Sequence, residues 1–258
     1  MISPKAHVSE NAKIGKGVEI SPFSTIYGDV EIGDGSWIGP NVTIMDGARI
    51  GKNCRIFPGA VISAIPQDLK FAGEKTTAKI GDNTTIRECV TINRGTSDRN
   101  TTRVGDNCLL MAYVHIAHDV VVGNHCILAN AVNIAGHCTI EDHVILEGLV
   151  AMQQFMRIGA HAFVAGGSLV RVNIPPYVKA AREPISYVGI NGVGLKRRGF
   201  ETETIHTIED IYRIIYVHNN HFSKALSQVE GDIAACPEKD HILNFFRSAE
   251  GGIMRGLS

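Results

Sequence analysis

Residues 104–170 read VGDNCLLMAYVHIAHDVVVGNHCILANAVNIAGHCTIEDHVILEGLVAMQQFMRIGAHAFVAGGSLV, and every sixth residue is aliphatic or Met. The series is Val104, Leu110, Ile116, Val122, Leu128, Ile134, Ile140, Leu146, Met152, Ile158, Val164 and Val170. Followed back toward the N-terminus, the same step lands on Ile92, Ile86 and Ile80, then on Ile62 and every sixth residue down to Ile2. Of 29 positions 26 are apolar, the exceptions being Asp68, Glu74 and Asp98. At the overall apolar frequency of 44%, chance would fill about 13 of them. A glycine often follows the aliphatic, as at Gly15, Gly33, Gly51, Gly81, Gly105, Gly123 and Gly159. Four residues after it stands a small residue, among them Ser24, Ser36, Cys54, Cys108, Cys126 and Cys138.

A period of six excludes an amphipathic helix, whose apolar stripe recurs at about 3.6 residues. It suits a short strand and a corner, with the aliphatic inward and the glycine easing the bend. Three hexads close a triangular coil, and successive coils stack at about 4.8 Å, the spacing of hydrogen-bonded strands. The expected fold is a mainly β, parallel β-helix of hexapeptide repeats. Such a prism resembles the left-handed β-helix family, and its left hand is taken from that resemblance.

Residues 63–79 and 93–103 lose the pattern, are polar, and are expected to be loops leaving a corner. Loops of this length in a compact domain commonly carry function. After Val170 the repeat stops. Ile205, Ile208, Ile211 and Ile215 then follow helical spacing, as do Phe222, Ala225, Leu226, Val229 and Ile233; Pro237 interrupts, and Ile242, Phe245 and Phe246 resume. The expected organisation is a β-helix over 1–180 and a small α-helical domain over 190–258.

The formal charge of −1, with no basic tail, argues against a nucleic-acid partner. No apolar run approaches the roughly 18 residues of a membrane span. The N-terminal MISPKAHVSENAKIG lacks the basic-then-apolar layout of a signal peptide. Six cysteines without CxxC spacing fit neither a disulfide scaffold nor a zinc ribbon, so a cytoplasmic location is expected.

Four of the cysteines occupy the small inward slot and read as core packing. His125, His143 and His161 lie 18 apart in one hexad slot and should stack on one corner; a straight ladder converges poorly on a metal, so no metal site is expected. The segment VHIAHD, with His115, His118 and Asp119, differs. One coil of 18 residues places Gly136 on His118, Gln154 beyond Gly136, and His137 on Asp119. A histidine beside a carboxylate can serve as a general base near neutral pH. A bare glycine N–H can approach a developing oxyanion. On spacing alone, surface polar residues remain the competing reading. No Ser or Cys stands beside His118, which favours direct transfer over a covalent intermediate.

Three further segments are distinctive: IPQDLKFAGE at 65–74, HIAHDVVVGNHCILAN at 115–130 and GLKRRGF at 194–200. In this order, with the helical C-terminus, they make the chain similar to the UDP-N-acetylglucosamine O-acyltransferases of lipid A biosynthesis. The resemblance covers essentially the whole chain. It implies transfer of a β-hydroxyacyl group from acyl carrier protein to the 3-hydroxyl of UDP-N-acetylglucosamine, the first step toward the lipopolysaccharide anchor. It implies His118 as general base, Asp119 orienting it, and the Gly136 N–H stabilising the oxyanion. Asp68 and Lys70 match sugar and phosphate contacts; His115, His137 and Gln154 match substrate-site positions. Asn191, Arg197 and Arg198 match the nucleotide-binding region. In the family the acyl chain runs along the groove between subunits, and Gly166, 18 after Gly148 on one corner, is expected to leave that groove open and so to set acyl length, two ordinary turn glycines being the competing reading. No cofactor is implied, since phosphopantetheine arrives on the carrier protein. The family is a homotrimer with sites between subunits. Two positions depart from its pattern: Gln153, where a histidine is common, and Val193, where an acidic residue is common.

Outside GLKRRGF, Arg197 and Arg198 would read as a solvated pair at a helix start. The competing classes are the N-acyltransferase of the same pathway, a γ-type carbonic anhydrase with three zinc-binding histidines, and a non-enzymatic β-helical scaffold.

Overall fold

The computed structural model describes residues 1–219 and 221–256. Positions 220, 257 and 258 of the expected helical segment lie outside the described residues. Each coil lays one short strand on each of three sheets. His115–Ile116 belongs to the first sheet, Val121–Val122 to the second and Ile127–Leu128 to the third, and Asn133–Ile134 returns to the first. Among the described residues the sheets hold nine, eight and ten strands. All pairings between coils are parallel; the one antiparallel pair joins Val178–Ala181 to Ser186–Ile190 at the exit. The architecture is the left-handed parallel β-helix, followed by a small helical region.

The hexad aliphatics are the core. Ile26, Ile44, Ile62, Ile92, Ile116 and Ile134 stack up the first sheet, each fully buried. Truncating one to Ala would cost about 2–5 kcal/mol, because neighbouring coils cannot collapse into the gap. The inward Cys54, Cys108, Cys126 and Cys138 are buried free thiols. Burial, as the leading cause, pushes the Cys54 thiol up to about 11.

The glycines that follow the aliphatics do a different job from the one expected. Gly33 and Gly105 have no positive φ. A Cβ on either would lie 2.6 Å from the backbone of the next coil. Close stacking therefore requires them, while the bend is made two residues later. There the backbone turns left-handed at Asn53, Asn83, Asn107, Asp119, His125, His137, His143 and His161, with φ between 53° and 63°. Asn, Asp and His tolerate that region better than most side chains.

The two interruptions are shorter than the sequence suggests. Strands Val61–Ala64 and Thr77–Ile80 flank the first, and Thr91–Asn93 and Thr101–Val104 the second. The flanks remain strand because Thr77–Ile80 and Thr101–Val104 pair over four registers. Partner positions across these coils are Ile62↔Ile92 and Ile92↔Ile116, 30 and 24 apart instead of 18. The loops thus insert two hexads and one hexad of chain, which is why the step of six survives them.

Beyond the coils lie α1 (Gly192–Arg197), α2 (Thr202–Arg213), a π-helical turn (Ile214–His218), α3 (Phe222–Asp232) and α4 (Pro237–Ser248). Pro237 opens α4 at its first turn, where its missing N–H costs nothing. Ile208, Ile211, Tyr212 and Ile215 form the buried face of α2 and the turn, and the Tyr212 hydroxyl donates to the Pro176 carbonyl at 2.6 Å. No helix among the described residues is long and apolar enough to cross a membrane.

Candidate active site

His118 and Asp119 occupy the corner between the first and second sheets. Asp119 is fully buried and His118 is 6% exposed. His118 Nδ1 lies 2.9 Å from Asp119 Oδ2. Burial alone would raise the Asp119 carboxyl, but hydrogen bonds from Thr96, His118 and the Thr96 and Arg99 amides outweigh it and hold it below its usual value. An ionised carboxylate only accepts, so Nδ1 carries the proton. In the neutral ring Nε2 is then the free lone pair.

Gly136, one coil on, sits under the imidazole. A Cβ there would stand 2.7 Å from His118 Cε1 and 2.9 Å from Nε2. Gly136 is buried, and its N–H meets no acceptor among the described residues. The amides of Gly28, Asp46, His118 and Gln154 on the same corner likewise meet none, whereas the next corner is capped. There the equivalent amides of Lys52, Asp82, Asp106 and Asn124 are each capped at 2.7–2.8 Å by an Asp or Asn of the following coil. A buried amide without a protein acceptor is available to an oxygen on a substrate.

Two clefts flank this pair. One, of about 330 Å³, is lined by Gln67, His115, His118, Asn133, Gly136 and Gln154, with Ala117, Ala135, Ala151 and Met152. The other, of about 280 Å³, is lined by Asp68, Lys70, Phe71, Glu74, Thr96, Asp98, His137 and Phe155. Asp68 and Lys70 thus line one cleft with His137. His115 Nδ1 meets the Thr91 hydroxyl at 2.8 Å, and burial lowers its imidazole below the usual range. His137 packs edge-on against His118, with centroids 5.1 Å apart, and stacks on Phe155. The ligand atoms of His118, Asp119 and His137 lie within 4.8 Å of one another. A zinc site of three imidazoles would need a different set: only two rings converge here, and the carboxylate is engaged by Thr96, Arg99 and His118.

The remaining expected residues lie elsewhere. Asn191 caps α1, accepting from the Gly194 N–H while its amide donates to the His161 carbonyl. Arg197 and Arg198 close α1 at its C-terminal end, so a helix-start pair is ruled out; that end carries the negative pole, which favours cations. Arg198 donates to the His143 carbonyl at 2.9 Å, and its Nη1 is buried without a partner among the described residues. His125, His143 and His161 do form a ladder, with centroids 4.7 Å apart, ending on Tyr177. Gly166 stacks beyond Gly148, outside both clefts. Gln153 and Val193 are exposed.

The sequence missed Thr96, Arg99, Thr91, Gln67 and Asn133. Thr96 and Arg99 fall in the pattern break NRGTSDRN, which was the available signal; Asn133 faces outward one coil beyond His115 and has none.

The family model described as UDP N-acetylglucosamine O-acyltransferase, domain 2, matches residues 173–254. That of the bacterial transferase hexapeptide matches 29–64 and 101–136. The chain is 52% identical over 248 residues to the acyl-[acyl-carrier-protein]–UDP-N-acetylglucosamine O-acyltransferase of Chlorobaculum tepidum, covering 96% of this chain and 94% of that one. Identity to the Chlorobaculum parvum enzyme of the same name is 50%, covering 97% and 96%. The crystal structure of a UDP-N-acetylglucosamine acyltransferase from Bacteroides fragilis superposes with a TM-score of 0.98 at 51% identity, covering 99% and 100%.

Proposed function

The chain belongs to the UDP-N-acetylglucosamine O-acyltransferase family, and from that premise we propose that it moves a β-hydroxyacyl chain from acyl carrier protein to the 3-hydroxyl of UDP-N-acetylglucosamine. This is the first step of lipid A biosynthesis. The observation that carries the mechanism is the His118 imidazole, held by Asp119 through Nδ1, seated against Gly136. Nε2 takes the hydroxyl proton as the sugar oxygen attacks the thioester carbonyl. The Gly136 N–H receives the developing oxyanion. Collapse breaks the C–S bond, and the imidazolium returns its proton to the leaving phosphopantetheine thiolate. Among the described residues no Ser, Thr or Cys side chain bonds the imidazole, which supports direct attack.

Asp119 fixes the tautomer and offsets the imidazolium charge. His115, His137, Gln154, Asp68 and Lys70 hold the acceptor in the two clefts. Arg197 and Arg198 stand one corner away and serve the nucleotide in the site of a neighbouring subunit, while Asn191, buried with both ends of its amide engaged, holds their helix in place. Face chemistry supports a homotrimer. The outward column of the second sheet is charged over Lys13, Glu31, Arg49, Lys79 and Arg103. The third sheet presents Leu109, Ile127, Ile145 and Phe163 in successive coils, and the first presents Thr25, Thr43, Thr91, Asn133 and Ala151. The third face carries charge toward its ends, at Glu19, Arg55 and Lys179, and its apolar middle suits burial in a head-to-tail ring.

The test is incubation with UDP-N-acetylglucosamine and a panel of acyl carrier protein thioesters, read by mass spectrometry. An O-acylated UDP-sugar is expected; its absence with every thioester refutes the reading. Sedimentation equilibrium showing a stable monomer at micromolar concentration refutes the trimer.

A further inference from the structure

The second loop, between Thr91–Asn93 and Thr101–Val104, bonds the neighbouring coil at its ends, through the Arg94 and Gly95 amides and the Asn100 carbonyl. Coils elsewhere close without it, and its inserted hexad leaves the register intact. It spends that chain on Asp119. Oδ1 accepts from the Thr96 amide at 3.0 Å and the Arg99 amide at 3.3 Å. Oδ2 accepts from the Thr96 hydroxyl at 2.6 Å, the Thr96 amide at 3.2 Å and His118 at 2.9 Å. The Arg99 guanidinium donates to the Asp119 carbonyl at 2.9 Å, and the Asp119 amide donates to Thr102 Oγ1 at 2.8 Å. Thr96 is 7% exposed, so water does not compete for these bonds.

We propose that Thr96, held by its loop, is a positioning residue that sets the basicity of the His118–Asp119 pair; the proposal rests on His118 being the base. The Thr96 hydroxyl and His118 Nδ1–H share one carboxylate oxygen. A donor on that oxygen stabilises its charge and weakens its pull on the imidazole proton. His118 is thereby oriented without being locked in the protonated form, in which Nε2 has no lone pair to offer. The other ionisable groups facing the pair are His137, whose Nε2 is 4.0 Å from Asp119 Oδ2, Asp98 at 3.0 Å from His137 Nδ1, Arg99, and His115 on the preceding strand. None of them donates to Oδ2 as Thr96 does.

Thr96→Val removes the hydroxyl. The His118 titration is then expected to move about 0.5–1 pH upward, with the acid limb of kcat/KM moving alongside. Imidazole nitrogen NMR on the full-length protein reads the first, with His118 assigned by the His118→Gln spectrum. Thr96→Ser should restore both. If Thr96→Val fails to fold, Thr96→Ala deletes the same hydroxyl with less crowding and must move both in the same direction. A fall in kcat with an unmoved His118 titration overturns the proposal and leaves Thr96 as a loop anchor. The NMR arm needs no turnover, so an active His118→Ala variant would refute the base while Thr96 is still judged on its own.

Discussion

Gly136 leaves open the space that the His118 imidazole fills: a Cβ there would come within 2.7 Å of Cε1 and 2.9 Å of Nε2. The glycine is required by a side chain one coil away and not by its own φ, which is not positive. Gly136→Ala is therefore expected to keep the fold and displace the ring. A displacement near 1 Å costs about 10²-fold in turnover. Gly28→Ala, on the same corner, meets nothing closer than Ser9 Oγ at 3.4 Å and should retain activity. Steady-state kinetics with circular dichroism decides this, and equal activity of the two variants would show that His118 tolerates movement.

His118→Ala should lower kcat about 10²–10⁴-fold, as expected for loss of a general base, with secondary structure unchanged. His125→Ala should cost far less, because His125 stacks on His143 at a left-handed turn away from both clefts. Equal losses in a side-by-side assay would mean that the base is misassigned.

The contrast between these histidines marks what the sequence could reveal. Hexad arithmetic placed Gly136 on His118 and His137 on Asp119 because no loop interrupts 104–170, and each coil there is 18 residues. It placed the His125–His143–His161 ladder for the same reason. It could not place Thr96, because an inserted loop returns to the coil at a point that period alone does not specify. The slot alone does not say what each glycine meets: Gly33 directly follows its aliphatic and lies against the backbone of the next coil, whereas Gly136 and Gly166 stand one place later, against an imidazole and the Gly148 carbonyl oxygen. Arg198 stands out as a candidate only through GLKRRGF, since its helix is six residues long and its contacts run to His143, 55 positions earlier.

The ladder predicts a pH effect on stability. Burial, as the leading cause, with His143 and Arg198 adding repulsion, lowers His161 from 6.5 to about 4. His143 is lowered for similar reasons, burial first and then His125 and Arg198. A histidine depressed in the folded state binds fewer protons there than in the unfolded chain. Its contribution is complete above about pH 6.5 and is lost as pH falls toward 4. Asn stands at the same turn position in Asn53, Asn83 and Asn107. His161→Asn should therefore fold and lose less Tm than wild type between pH 6.5 and 4. Parallel Tm profiles for the two proteins would remove His161 from the account.

Arg198 has one committed nitrogen and one buried without a partner. On the proposed reading it meets the diphosphate or uridine end, far from the reacting carbonyl. Losing a charge-assisted contact should weaken binding by about 1.5–3 kcal/mol. The loss should fall on the KM for the UDP-sugar more than on that for the acyl donor. Arg198→Ala kinetics with an unchanged UDP-sugar KM would refute the assignment.

Gly166 tests how acyl length is set. It stacks beyond Gly148 on the corner between the third and first sheets, 48 residues past His118 and so between two and three coils along. Its N–H donates to Glu147 Oε2 at 3.0 Å, and its φ is not positive. A Cβ there would lie 3.2 Å from the Gly148 carbonyl oxygen, tight enough to ask for a shift of a few tenths of an ångström but not for a new backbone. A larger residue is therefore compatible with the fold, and its side chain would start in the exposed space beside Glu147. On the proposed reading that space is the groove along which the acyl chain runs between subunits. Each methylene buried there contributes about 0.8 kcal/mol, so an open groove favours a long β-hydroxyacyl chain. A methionine would block it sterically, which discriminates more sharply than lost burial. Wild type should prefer a long donor, and Gly166→Met should shift preference to a shorter one while turnover on the short donor survives. Competition between donors of different length, with products weighed by mass spectrometry, gives the ratio directly. An unchanged ratio in a folded Gly166→Met protein would place the end of the acyl chain elsewhere and leave Gly166 as a turn residue.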